Sequence, residues 1–274
     1  MNTRRIIGSL VTAGAVALAT LPVMPIEAAS ITATFTTRIF YQNPNNAVAN
    51  AVINFYPELS GTVDPVSVPL SNVPAFGSGE VWLGTVALNG GGSFKGSAVI
   101  SADQNIVAAS SQVSADSTVA QLMSTAFGSS QATTQLFLAT YLYNLGYAYS
   151  TYAVQNTETD SVNFNANFFT AGNSVPVAVI TGTIPANSVK IFSAYISTTV
   201  GTPFINYVNS NGGVFNGSVV VTATLASNGT PAHLVGVSEE RYSSNNRGYA
   251  FGAIGQSDGA ATVYIPTALC QFGG

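Results

Sequence analysis

Charge is what this chain has least of. Only 7% of its residues are Asp, Glu, Lys or Arg, where ordinary soluble domains carry roughly a quarter, so its surface is built from Ser, Thr, Asn, Gln, Gly and Tyr. Such a surface offers little repulsion between copies and favours association. Beyond the first 29 residues the basic side chains are Arg38, Lys95, Lys190, Arg241 and Arg247, outnumbered by acidic ones. No basic patch is available to neutralise phosphates, which excludes nucleic acid as a partner.

Cysteine and histidine are almost missing too. The single Cys270 has no internal partner, so the chain is not framed by disulfides. Cys270 reads either as a small apolar residue on a last strand or as a thiol for an intermolecular bridge. The single His233 precedes Glu239 and Glu240, and Glu239 shares its strand face only if the strand runs unbroken; no nucleophile elbow accompanies them. There is no His pair, Cys pair or EF-hand loop. Glu158, Asp160 and Asp116 are the one acidic group with any claim on Ca²⁺, a weak one, and a solvated turn accounts for them better. The expectation is a protein without catalytic residues, cofactor or metal.

Long apolar runs are confined to the start. Arg4 and Arg5, an apolar stretch over residues 6–21, and Ile26-Glu27-Ala28 have the order of an export signal, predicting removal of residues 1–29. No later stretch is long and apolar enough to span a bilayer as a helix. A secreted protein, extracellular or at the cell surface, is expected.

What is abundant is strand signal: short Val, Ile, Phe, Tyr and Thr runs, punctuated every eight to twelve residues by Gly, Pro, Asn and Ser. The only helix predicted is a short one over residues 117–124. The strands also repeat. Gln42-Asn43 returns as Gln155-Asn156, Phe94-Lys95-Gly96-Ser97 as Phe215-Asn216-Gly217-Ser218, and Ala126-Phe127-Gly128 as Ala250-Phe251-Gly252. Residues 134–142 return as 261–269. The offsets of 113, 121, 124 and 127 grow as loops lengthen between fixed strands. This predicts an all-β fold of two tandem antiparallel sandwiches, Ig-like or of jelly-roll type, over residues 30–142 and 143–274.

These paired motifs, with Val263-Tyr264-Ile265-Pro266-Thr267 at the end, resemble secreted bacterial surface proteins made of tandem Ig-like sandwich repeats. The resemblance covers the chain beyond its signal. It implies a structural subunit of a sheath, an S-layer-like coat or a fibre, in a homopolymer.

Two local features bear on that implication. Tyr141, Tyr143, Tyr147 and Tyr149 crowd the middle of the chain and share parity, so one strand face could present them. They read as packing at a junction between repeats, as a stacking platform for surface polysaccharide, or as a contact with a neighbouring subunit. The run 134–142 precedes the second repeat, while nothing like it precedes the first. If it is the first strand of the second repeat, then 261–269, with Val263, Tyr264, Ile265, Pro266 and Leu269, is left over to fill the vacancy in the next molecule by strand addition. If it is instead the last strand of its own repeat, nothing is vacant.

Overall fold

The computed structural model describes residues 35–61, 64–114, 122–195, 197–242 and 248–261, and these are all-β with antiparallel sheets. The first repeat contributes β1 (Phe35–Gln42), β2 (Ala49–Pro57), β3 (Val66–Val73), β4 (Ser78–Trp82), β5 (Gly96–Ala102), β6 (Val107–Ser114) and β7 (Leu122–Thr125). They form two sheets, in the orders β4-β1-β6-β7 and β3-β2-β5. The second contributes β8 (Gln135–Tyr143), β9 (Ala148–Asn156), β10 (Val162–Thr170), β11 (Ala178–Ile184) and β12 (Val189–Ser193). After two helices follow β13 (Phe215–Leu225), β14 (Leu234–Tyr242), β15 (Gly248–Gly252) and β16 (Ile254–Gly255). Their sheets run β12-β9-β14-β15 and β11-β10-β13-β8-β16.

Alternation drives the layering. In β10, Val162, Phe164, Ala166 and Phe168 are buried while Asn163 and Asn165 face out, the two-residue period of a half-buried strand. Ile39 and Val81 from one sheet meet Ile53, Phe55 and Leu70 from the other in the first core. Val154, Phe192 and Leu234 meet Phe164, Phe168 and Val221 in the second.

The duplication is written in hydrogen bonds. Asn43 is fully buried and its amide nitrogen donates to the carbonyls of Ala47 (2.7 Å), Val73 (3.1 Å) and Pro74 (3.0 Å). Asn156, also fully buried, donates to those of Asp160 (2.8 Å), Ile184 (3.2 Å) and Pro185 (3.0 Å). Gln42 and Gln155 beside them donate to the carbonyls of Phe76 and Asn187, both held at positive φ. The Ala126-Phe127-Gly128 anchor corresponds instead to Ala253-Ile254-Gly255. Ala126 and Ala253 donate to the carbonyls of Ala108 and Gly236, and Gly128 and Gly255 each donate to the side chain three residues on. From here the offset is a constant 127.

Two further expectations change. The boundary at 142/143 would cut β8, which is laddered along β13 in the second repeat. The helix predicted over 117–124 is overturned where the structure describes it, since Leu122–Thr125 is a strand paired with β6. The helices are α1 (Ser197–Val200) and α2 (Thr202–Ser210). The signal for α2 was Pro203 in the first turn with Phe204 and Val208 one turn apart, both buried. No helix among the described residues is long and apolar enough to cross a membrane. Residues 1–29 and 262–274 lie outside the described residues.

Candidate functional site

The site is an edge. On β13, one side is laddered to β10 and the other to β8, with Val219 opposite Leu138 and Val221 opposite Leu136. On β5, its counterpart, one side is laddered to β2 and no described strand pairs with the other. The same residue positions therefore differ in burial. Phe215, Val219, Val221 and Ala223 are all at most 4% exposed beneath β8. Phe94, Ala98 and Ile100, though packed on the first core, are only half-buried, and Ala102 is exposed. An open edge with half-covered apolar side chains is a template for strand addition.

What covers β13 is a strand that leaves the first repeat. After β7 the chain makes a 3₁₀ turn at Ser129–Gln131. Thr133 then exchanges backbone hydrogen bonds with Leu234 at 2.8 and 3.0 Å, and β8 follows. Leu136, Leu138, Tyr141 and Tyr143 point into the second core. Between Leu138 and Tyr141 a bulge sets two β8 residues, Ala139 and Thr140, against Ser218 alone. The matching 3₁₀ turn after the second repeat, Gln256–Asp258, leads into residues 262–270. The exchange-strand candidates Val263, Tyr264, Ile265, Pro266 and Leu269, and the Cys270 thiol, thus lie outside the described residues.

Tyr141, Tyr143 and Tyr149 share a core, not a face. Gly146 and Tyr147, both at positive φ, make a tight turn closed by Leu145 and Ala148, and this turn carries the chain from one sheet to the other. Tyr141 and Tyr143 on β8 consequently meet Tyr152 and Tyr149 on β9 across the interior, with ring centroids 4.9 and 5.6 Å apart. Tyr141 is fully buried, and burial drives its phenol pKa well above the ordinary value. Tyr147 alone of the four candidates is exposed, at 62%.

His233 pairs with Glu158, not with Glu239 or Glu240. Its backbone N–H and ring Nδ1 lie 2.7 and 2.8 Å from the Glu158 carboxylate. In the first repeat, Asn45 donates to the Asn105 carbonyl at the same place. This is a clasp between two turns. Among the described residues, no three His, Cys, Asp or Glu side chains gather as metal ligands. Asp116 lies outside them.

The joint between repeats, which the sequence did not reveal, presses the end of the first against a sheet of the second. The Ser188 hydroxyl donates to the Pro57 carbonyl, the Ser97 hydroxyl to that of Asn187, and the Ile191 N–H to the Glu58 carboxylate. Glu239 accepts from Gln112 and, at 2.7 Å, from Arg241, whose guanidinium lies 4.1 Å above the Phe35 ring. No family model, curated protein or solved structure matches the chain.

Proposed function

We propose that this protein is an exported, non-catalytic structural subunit that assembles head to tail into a cell-surface fibre, sheath or layer. Each copy donates residues 262–270 to the open edge of β5 in the next. One observation carries the reading: the chain already performs this donation once, internally, when the strand following the first repeat completes the second. The same rule applied to the strand following the second repeat completes the first repeat of another copy.

The β8 register supplies a template for the donated strand. At the constant offset of 127, Val263, Ile265, Ala268 and Cys270 take the inward places of Leu136, Leu138, Tyr141 and Tyr143, and all four are apolar. Pro266 falls at Ala139, in the bulge, where a residue without an N–H costs no ladder bond. Low charge adds the absence of repulsion.

The test is electron microscopy and sedimentation of the mature protein beside a variant lacking residues 259–274. Filaments or sheets from the first, and dispersed folded particles from the second, are expected. Assembly by the truncated chain overturns the reading. So does unfolding of its second repeat, because the strand would then belong to its own chain.

A further inference from the structure

Resting on the exchange reading, we infer that the outer face of sheet β4-β1-β6-β7 is a second subunit contact, and that it receives the end of the second repeat of the donating copy. The inference comes from what the internal joint covers. Pro57, Ser97, Gln112 and Phe35 sit at the end of β2, the start of β5, late in β6 and the start of β1, all at one end of the first sandwich. That end presses on β12 and β14 of sheet β12-β9-β14-β15. On that sheet Val235 is 8% exposed; Ser193, 6% exposed, is held by Thr199 of α1, whose hydroxyl accepts from its N–H and donates to its carbonyl.

The equivalent face of the first repeat exposes apolar residues around one ion pair, Arg38 with Glu80, and the Arg38 guanidinium lies 5.4 Å from the Trp82 ring centroid. Val107, in the place of Val235, is 53% exposed, and Trp82, in the place of Ser193, is 41% exposed. Phe40 lies on the same face, beside a shallow hollow lined by Gln42, Ser78, Glu80, Val107 and Ala109. Neighbouring exposed apolar residues of this kind mark interaction surfaces.

The occupant is fixed by the same geometry. Repeating the joint brings up the corresponding end of the second repeat, where β8 turns into β9, β10 into β11, and the chain enters β13. That end displays Leu145, Tyr147, Val175 and Val214, all exposed. An end with exposed apolar side chains thus faces Phe40, Trp82 and Val107, which stand around the Arg38–Glu80 ion pair, in place of the Gln112, Glu239 and Arg241 lock of the internal joint. The contact joins unlike surfaces, an end to a face, so it propagates instead of closing a pair. Tyr147 becomes a subunit contact, which explains why it alone of the four tyrosines faces out.

Trp82 is the only tryptophan in the chain, so its fluorescence reads this face directly. On assembly of the wild-type protein the emission shifts to the blue and iodide quenching falls at least severalfold. Val107→Glu and Val175→Glu, both at exposed side chains, each raise the critical concentration for assembly at least tenfold, with thermal unfolding of the dispersed chain unchanged. Unchanged Trp82 emission in assembled wild type overturns the inference, and so does an effect from only one of the two variants, since the surfaces would then not meet. Should both variants assemble normally while removal of residues 259–274 abolishes assembly, strand exchange stands and this contact falls. Failure of the wild type to assemble removes both.

Discussion

Gly96 and Gly217 stand at one and the same place in the two repeats, each with its backbone against the carbonyl oxygen of the neighbouring strand, Tyr56 in one case and Phe169 in the other. A Cβ at either would fall inside contact distance of that oxygen and of the ring two residues earlier, Phe94 or Phe215. That is why Phe-x-Gly-Ser recurs. Gly217→Ala is expected to destabilise by about 1–3 kcal/mol, the usual cost of overpacking. Gly96→Ala should cost less, because β5 is laddered on one side only and is freer to shift. Thermal denaturation of the two variants checks both the sign and the order.

Asn43 and Asn156 fix the turns that follow β1 and β9. Each has two amide hydrogens serving three carbonyls, so one hydrogen is shared, and no other side chain of this size donates in that pattern. Asn156→Asp keeps the shape but turns a carboxylate oxygen toward the Asp160, Ile184 and Pro185 carbonyls. With buried acceptors left unpaired at about 1–3 kcal/mol each, a loss of at least about 3 kcal/mol is expected. Denaturant titration should show Asn43→Asp behaving alike, and tolerance of either change would remove the asparagine from this role.

The strands, their antiparallel pairing and the paired asparagines were legible because each depends on local residue type: alternating apolar runs, and Gln-Asn before a turn. What was not legible depends on which strand lies beside which. Parity placed Tyr141 and Tyr149 on one face, yet the turn at Gly146 and Tyr147 moves the chain between sheets, and the rings converge inside. Ala-Phe-Gly recurs at Phe251, three residues short of the true counterpart: the matching bonds of Ala126 and Ala253, and of Gly128 and Gly255, make Ile254 the equivalent of Phe127. That the first repeat lacks a strand was legible only as one of two alternatives, from the run 134–142 having no counterpart before it. Which edge stands open is visible only in the structure, as Ile100 half-buried where Val221 is sealed.

Tyr141 carries a hydroxyl into the second core, where it has no hydrogen-bond partner among the described residues. A buried polar group without a partner costs free energy that its removal returns. Tyr141→Phe keeps the edge-on ring contacts with Tyr152, Phe168 and Phe204, and should stabilise the protein by about 1 kcal/mol. Burial raises the phenol pKa, so the stability tied to Tyr141 is intact below the ordinary phenol value of 10.0 and is lost as pH rises above it. In the wild type, ultraviolet titration should show its ionisation only together with unfolding.

Glu158 is held below its ordinary carboxyl pKa of 4.5, first by the His233 backbone N–H and then by the His233 ring. A depressed carboxyl contributes stability above its unfolded value, and that contribution is lost as pH falls through the folded one. Acid unfolding should therefore steepen below about pH 4.5. Glu158→Gln, which still accepts from the backbone N–H but does not titrate, should flatten part of that slope. An unchanged acid profile would mean that the clasp is broken in solution.

The register of the donated strand is the most exacting prediction. In the second repeat Val220 stands opposite Phe137 on the outward face; with Val99 in the place of Val220 and Tyr264 in that of Phe137, Tyr264 of one copy is set opposite Val99 of the next. In a Cys270→Ser background, Val99→Cys mixed with Tyr264→Cys should give a disulfide-linked dimer on non-reducing gels, while neither variant alone does. A slip by two residues keeps the same face outward and pairs Val99 with Thr262 or Pro266 instead, so Thr262→Cys and Pro266→Cys serve as decoys. The Pro266 slip is disfavoured because it moves the proline out of the bulge and onto the ladder. Equal cross-linking by a decoy would refute the register while leaving exchange intact. Hydrogen exchange gives the same answer without mutation: the outward amides of β5 should exchange quickly in dispersed chains and slow on assembly, whereas those of β13, already covered by β8, should be slow in both.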